Sequence, residues 1–321
     1  MTRLIKSGLV ALSLACTCAG MALAQTQTYP NKPIFFVVGP GPDALARFVG
    51  QRLTEAWGQQ VLVDIQPAAG GVIAERRVAS APPDGYTMLL TTGSYSINEA
   101  LRPSLPVKIL RDLEPVALIG TLSFVLVTSP SHPAKSLAEM IKLAASKPGA
   151  LNCASSGVGT TAHLGCEMLK QAAKVDFGHV PYRGAASALV DIMGGRVDFT
   201  FSVPTVVPQI KAGELRALAI SGPQRLAALP DVPTLAELGY PEAEFQSWNG
   251  VHVPRGTPKA VIEKLNTEID KFVNTPQMHQ RMEDLGVKSG HGTPEQFGAF
   301  VKNDLERWNS VVKTTGVKLE D

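Results

Sequence analysis

Short apolar runs recur along this chain, and most are followed by segments in which apolar positions return every three or four residues. The first pattern marks a buried strand and the second an amphipathic helix. Residues 34–38 are apolar and bounded by Pro33 and a Gly-Pro-Gly-Pro loop at 39–42. Asp43 then stands at an N-cap position ahead of Ala44, Leu45, Phe48, Val49 and Leu53, which predicts a helix. A strand over 61–65, a loop over 66–71 and a short helix over 72–80 follow. The turn Pro82-Pro83-Asp84-Gly85 precedes a strand at 87–91. A long β-rich stretch covers 116–128, and Ser136 caps a helix that Lys147-Pro148-Gly149 stops near 146.

The second half repeats the alternation. Strands are predicted at 151–154, 177–180, 197–201, 215–220 and 245–253, with helices at 160–173 and 185–193. Beyond 254 the periodicity is helical, over 259–274, 276–285 and 294–314. Alternating strand and helix signals predict α/β architecture, mostly parallel sheets flanked by helices. The extended stretches at 116–128 and 245–254 bracket a self-contained block of such units. They read as crossover strands between two domains, one of residues 25–128 plus 250–321, the other of 129–249. Ligands in such folds sit at the carboxyl ends of strands, and two facing crevices make a cleft.

The amino terminus adds a location. Arg3 and Lys6 precede an apolar core that opens at 9–14, and Ala22-Leu23-Ala24 completes an A-x-A cleavage pattern, so residues 1–24 read as an export signal to the periplasm. No later segment approaches the roughly 20 apolar residues of a membrane span. Without Arg3 and Lys6, 28 basic residues balance 28 acidic ones. That neutrality argues against a nucleic-acid partner, which wants a basic face. Past the signal two cysteines remain, Cys153 and Cys166. A strand end and the following helix lie close enough for a disulfide, while a buried thiol in apolar surroundings is the other reading.

Candidate chemistry concentrates in Leu151-Asn-Cys-Ala-Ser-Ser-Gly-Val-Gly-Thr-Thr-Ala-His-Leu-Gly-Cys-Glu167. Here a strand ends in a Ser/Gly loop that opens a helix. Glycines allow close backbone approach, and the first helical N–H groups lack partners inside the helix, so an anion fits. Ser155, Ser156, Gly159 and Thr160 are the candidate contacts, with His163 one turn further on. Gly70 and Gly71 open the helix at 72 in the same way. Thr91, Thr92 and Ser94 follow a buried strand and are expected at the cleft edge. Arg183 has the geometry for a forked carboxylate pair, beside Tyr182. Asp198 is expected in an orienting role, because a bare carboxylate beside an anion repels it. His163, Cys166 and Glu167 have a helical spacing that could hold a metal, but without a second ligand pair they read as packing and capping.

Taken in order, the motifs are specific enough to compare with a family. They include Tyr29-Pro30-x-Lys32-Pro33-Ile34, Pro83-Asp84-Gly85-Tyr86-Thr87, Ala154-Ser155-x-Gly157-x-Gly159-Thr160-x-x-His163-Leu164, His179-Val180-Pro181-Tyr182-Arg183-Gly184 and Leu229-Pro230-Asp231-Val232-Pro233-Thr234. Over nearly its whole length past the signal the chain resembles the solute-binding proteins of tripartite tricarboxylate transporters, the Bug family of periplasmic carboxylate receptors. The resemblance implies a two-domain Venus-flytrap receptor for a small organic carboxylate, serving integral membrane transporter subunits or a sensor. It implies no catalytic residue, metal or cofactor, and a monomer. Mono- and dicarboxylates are the ligand class, aromatic ones such as terephthalate included. The loop at 39–42 is shorter than the family's P-F-x-x-G-G-x-x-D form, although Asp43, Ala46 and Arg47 keep its pattern.

An enzyme is the alternative. Gly157-x-Gly159-x-x-Ala162, with Asp176 downstream, fits a dinucleotide fingerprint. A hydrolase built on Ser155 or Ser156 with His163 or His179 is the other catalytic reading of the 155–160 loop. No G-x-S-x-G elbow, Walker loop or H-E-x-x-H pair occurs in the chain.

Overall fold

The computed structural model describes residues 29–39, 43–66, 71–284 and 286–317. The export segment at 1–24, residues 40–42 and Gly70 lie outside the described residues. The first part of the chain runs β1 (Ile34–Val38), α1 (Asp43–Trp57), β2 (Val61–Ile65), α2 (Val72–Ala79), β3 (Thr87–Thr92), α3 (Gly93–Leu101), α4 (Ile109–Asp112) and β4 (Leu113–Ser123). The middle runs β5 (Val125–Thr128), α5 (Leu137–Ser146), β6 (Asn152–Ser155), α6 (Thr161–Ala173), β7 (Gly178–Pro181), α7 (Ala185–Met193), β8 (Phe199–Ser202), α8 (Val207–Lys211) and β9 (Arg216–Ile220). The chain ends with β10 (Gln246–Pro254), α9 (Lys259–Val273), α10 (Pro276–Asp284), β11 (Val287–Ser289) and α11 (Pro294–Thr315).

Two sheets result. The first has the order β11-β4-β10-β3-β1-β2 and the second β7-β6-β8-β5-β9. In β1, Ile34, Phe36 and Val38 share a core with Leu45, Val49 and Leu53 of α1. Val37 faces the other side, with Leu89 of β3 and Ala74 and Val78 of α2. Burial of both faces at every position but the exposed Phe35 explains why β1 reads as an apolar run rather than an alternation. The helices begin where the sequence supplies caps. Ser136 accepts from the Glu139 N–H at 3.2 Å, and Thr293 with Gln296 closes a reciprocal capping box over α11.

The sheets are mixed rather than mostly parallel. β1 pairs in parallel with β2 and β3, and β6 with β7 and β8. The strands that carry the chain between sheets break the pattern: β10 runs antiparallel to β3 and β4, and β5 antiparallel to β8 and β9. A chain that returns to a sheet directly, with no helical crossover, enters it antiparallel. Sheet membership changes at Phe124, between β4 and β5, and again between Ile220 and Gln246. Phe124 and Phe245 flank these passages and touch, with ring centroids 5.4 Å apart. Gly165 lets α6 press against Phe245, where any Cβ would collide with the ring.

Four elements have no clear sequence signal: α3, α4, α8 and β11. In α3, Ser96 and Asn98 are buried beside Tyr95 and Ile97, so polar and apolar positions do not separate into faces.

Candidate functional site

Successive crossovers turn to opposite sides of one strand in each sheet. β2 and β3 flank β1, and β7 and β8 flank β6. Loops leaving the carboxyl ends of such strands diverge and leave a crevice, which is where α/β sheets hold ligands. The loop 156–160 follows β6, Ser202 ends β8, Gly39 follows β1 and Thr92 ends β3.

The second-sheet mouth is tightly built. Thr160 caps α6 by accepting from the His163 N–H at 3.4 Å, and its hydroxyl donates to the Gly157 carbonyl at 2.8 Å. Gly157 and Gly159 have φ of 139° and 76°, a region closed to most side chains. Beneath the loop, Ser155 Oγ lies 2.7 Å from His179 Nε2, and the Gly159 N–H donates to His163 Nδ1 at 3.2 Å. The two imidazoles stack, centroids 3.9 Å apart. Burial lowers both pKa values to about 4, with the His179 ring adding to the effect on His163. A neutral His163 keeps the lone pair that accepts from Gly159. Cys153 and Cys166 are disulfide-bonded, with Cα atoms 6.3 Å apart, so strand and helix are tied on either side of the loop.

Against this loop lies a cavity of about 40 Å³ lined by Ser156, Ala162, Ala185, Ala188, Thr200 and Ser202 among others. That volume takes a few waters or one carboxylate group. Ala162 belongs to the first turn of α6 and Ala185 to the first turn of α7, so two helix N-termini open on it. Ser202 Oγ is buried without a partner. A larger recess of about 260 Å³ lies elsewhere, among Glu114, Glu263, Glu295 and Lys259. Three carboxylates to one ammonium give it the wrong charge for an anion.

Of the first-sheet mouth, Gly39 and Gly71 are described. Gly71 has φ 98° and precedes α2 without a side-chain cap. Tyr95 of α3 lies directly beneath, and a Cβ on Gly71 would come within 2.9 Å of its hydroxyl. A Cβ on Gly39 would collide with the same atom. Tyr95 Oη is buried without a partner, and burial, with Glu75 nearby, raises its pKa, so it stays a donor. The mouths meet along α3: a Cβ on Gly159 would sit 3.1 Å from Asn98 Oδ1.

Several expected contacts are placed otherwise. Thr91 is fully buried; its hydroxyl donates to the Gly250 carbonyl at 3.1 Å and lies 2.8 Å from His252 Nδ1, inside the first sheet. Asp198 sits at the amino end of β8, opposite the mouth, where it accepts from the Asn152 N–H at 2.7 Å and faces His132 at 3.3 Å. Tyr182 donates to Asp191 at 2.7 Å, a carboxylate that Arg196 also holds. Ser155 and His163 support the loop from below instead of lining it. Ser156, Gly159 and Thr160 form the loop itself; Thr92 is buried and Ser94 half-buried at the start of α3. Arg183 is exposed just before α7 and makes no ion pair among the described residues. Tyr95 and Ser202 stand at these mouths without having been named from the sequence; His179, named there only as a partner for Ser155 or Ser156 and as a member of the 179–184 motif, lies beneath the loop.

A model of the "tripartite tricarboxylate transporter family receptor" matches residues 45–317. This chain belongs to that family. Protein BugT of Bordetella pertussis is 35% identical over 328 residues, covering 100% of this chain and 99% of BugT. The solved structure of R. palustris Rpa4515 with adipate is 33% identical, with a TM-score of 0.85 over 90% of this chain and 99% of that one. MatC from Rhodopseudomonas palustris with bound malate is 30% identical, with a TM-score of 0.81 over 88% and 100%.

The tripartite tricarboxylate receptors are solute-binding proteins of the periplasmic type, and the two-sheet architecture is their flytrap fold. Family and structural neighbours are receptors, not enzymes. The residues of the two catalytic readings are placed as follows. Ser155 is sealed in, it hydrogen-bonds both the N–H and the carbonyl of Gly157, and no carboxylate bonds His179 among the described residues. Asp176 pairs with Lys170 at 2.8 Å before β7 begins. A ribose-binding acid would stand at the strand's other end. Among the described residues no helix is long and apolar enough to cross a membrane.

Proposed function

We propose that this protein is exported to the periplasm, captures a small organic carboxylate between two α/β lobes as a monomer, and presents it to the membrane subunits of a tripartite tricarboxylate-type transporter. The lobes correspond to the two sheets, divided at Phe124 and near Phe245. The carrying observation is the cavity at the β6–β8 switch point, onto which α6 and α7 open and into which no side-chain carboxylate projects. Thr161 and Ala162, first in α6, have N–H groups without partners among the described residues. A carboxylate there gains about 1–2 kcal/mol from a helix terminus. Each N–H bond to the charged oxygen adds roughly 1.5–3 kcal/mol.

The adipate and malate neighbours support a carboxylate ligand. An aromatic diacid such as terephthalate belongs to the same chemical class and is the finer proposal. The test is a thermal-shift and tryptophan-fluorescence screen against aliphatic and aromatic carboxylates. Stabilisation should follow the logarithm of ligand concentration above Kd. Absence of stabilisation by every carboxylate at millimolar concentration rejects the reading.

A further inference from the structure

Asn249 lies on β10, opposite Thr92 at the carboxyl end of β3. Both are almost fully buried, Asn249 at 2% exposure and Thr92 at 6%. Asn249 Nδ2 and Thr92 Oγ1 each lack a hydrogen-bond partner. Buried polar atoms are rarely left so, and each such atom calls for a missing partner. Thr92 is the N-cap residue of α3, yet its side chain makes no cap bond. Threonine at that position ordinarily bonds the N–H two or three residues on, so this hydroxyl is turned away from its own helix. The β10–β4 ladder slips register between Asn249 and Gly250, the kind of irregularity that re-aims a side chain.

The missing partner has a definite chemistry. An amide nitrogen only donates, so Asn249 wants an acceptor, and a hydroxyl can donate to the same group. An ammonium would find no counter-charge from this pair. The buried Asp304 carboxylate, behind neighbouring Trp248, is already filled by the indole N–H groups of Trp248 and Trp308 at 2.7 and 3.0 Å. Thr92 is separated from Asn98, which meets the Gly159 loop, by six residues of α3, a rise of about 9 Å.

We infer that Thr92 and Asn249 form a second oxygen-reading subsite on the connecting strand, which makes the cleft selective for dicarboxylates over monocarboxylates and amino acids of the same length. This rests on the carboxylate-receptor reading above. One carboxylate occupies the helix-mouth cavity, and the far one accepts from Asn249 Nδ2 and Thr92 Oγ1.

The experiment titrates purified full-length mature protein by calorimetry with succinate, glutarate, adipate and terephthalate. Each is paired with the monocarboxylate, and with the ω-amino acid, that differs only at one end. Wild type should bind its best diacid at least 10-fold more tightly than either matched compound. The isosteric pair Thr92→Val with Asn249→Leu should bring diacid and monoacid within about twofold of each other, by weakening the diacid alone. The melting temperature of the empty variant should stay level or rise, since two unpartnered polar atoms are removed. If the double variant does not fold, Asn249→Asp replaces it and should shift preference toward the ω-amino acid. An unchanged diacid preference in a folded variant overturns the subsite, as does a wild type that binds diacid and monoacid equally. A wild type that binds no carboxylate at all overturns the receptor reading itself.

Discussion

The two mouths of the cleft solve one problem by different means. The β6–α6 mouth is braced covalently by Cys153–Cys166, from below by Ser155, His163 and His179, and at its rim by Thr160. Among the described residues the mouth before α2 has none of these braces, and no side chain caps Gly71. Gly71 keeps its conformation because it lies on Tyr95, whose hydroxyl has no partner. On the function proposed above, one mouth is set before a ligand arrives and the other keeps the Tyr95 hydroxyl in reserve for it. Rigidity on one side lowers the ordering cost of first contact, and the unfilled donor reserves interaction for closure.

The contrast is open to attack at four places. Gly71→Ala should have the largest effect. It forces a side chain into φ 98° and against Tyr95, for a loss of about 3–4 kcal/mol in denaturant titration, with carboxylate binding abolished. Replacing Cys153 and Cys166 together by alanine should cost about 3 kcal/mol, as expected for so short a loop, with only a modest fall in affinity. If instead affinity collapses while stability holds, the disulfide shapes the site rather than bracing the fold.

Acid gives the third. His163 and His179 have folded pKa values near 4, below the 6.5 of an unfolded histidine. The unfolded chain therefore binds more protons between those limits, and stability must fall as pH drops from 6.5 to 4. The loss should be roughly 2–3 kcal/mol, allowing for screening of the half-buried His179. His252, lowered to about 3 by burial, adds a loss of the same sign. The pair's share is therefore read as the slope that disappears in the His163→Gln, His179→Gln variant. The smallest effect is Thr160→Ala, which removes one cap and should cost about 1 kcal/mol by thermal unfolding.

Much of this was legible in the chain. The βα alternation, the extended stretches near 116–128 and 245–254 and the Ser/Gly loop opening a helix at 155–160 all follow from local pattern. Errors came where position depends on distant partners. Asp198 precedes its strand, and only the direction of β8 in the sheet shows that a residue there faces away from the cleft. Thr91 looked like a strand-end hydroxyl, but its partner His252 is 161 residues away and enters through an antiparallel strand. Tyr95 was hidden for a related reason: α3 has no apolar stripe to announce it, because Ser96 and Asn98 are buried with it.

The passages at Phe124 and Phe245 run side by side, since Gln246 is in register with Ser123. A single tether would leave the lobes free to swivel in any direction. Two adjacent extended segments, with their aromatic rings in contact, resist twisting and splaying and leave bending about one axis as the soft mode. On the function proposed above, each opening would retrace the last, so the search for a ligand would explore an arc and not a volume, with little orientational freedom to surrender when the jaws meet.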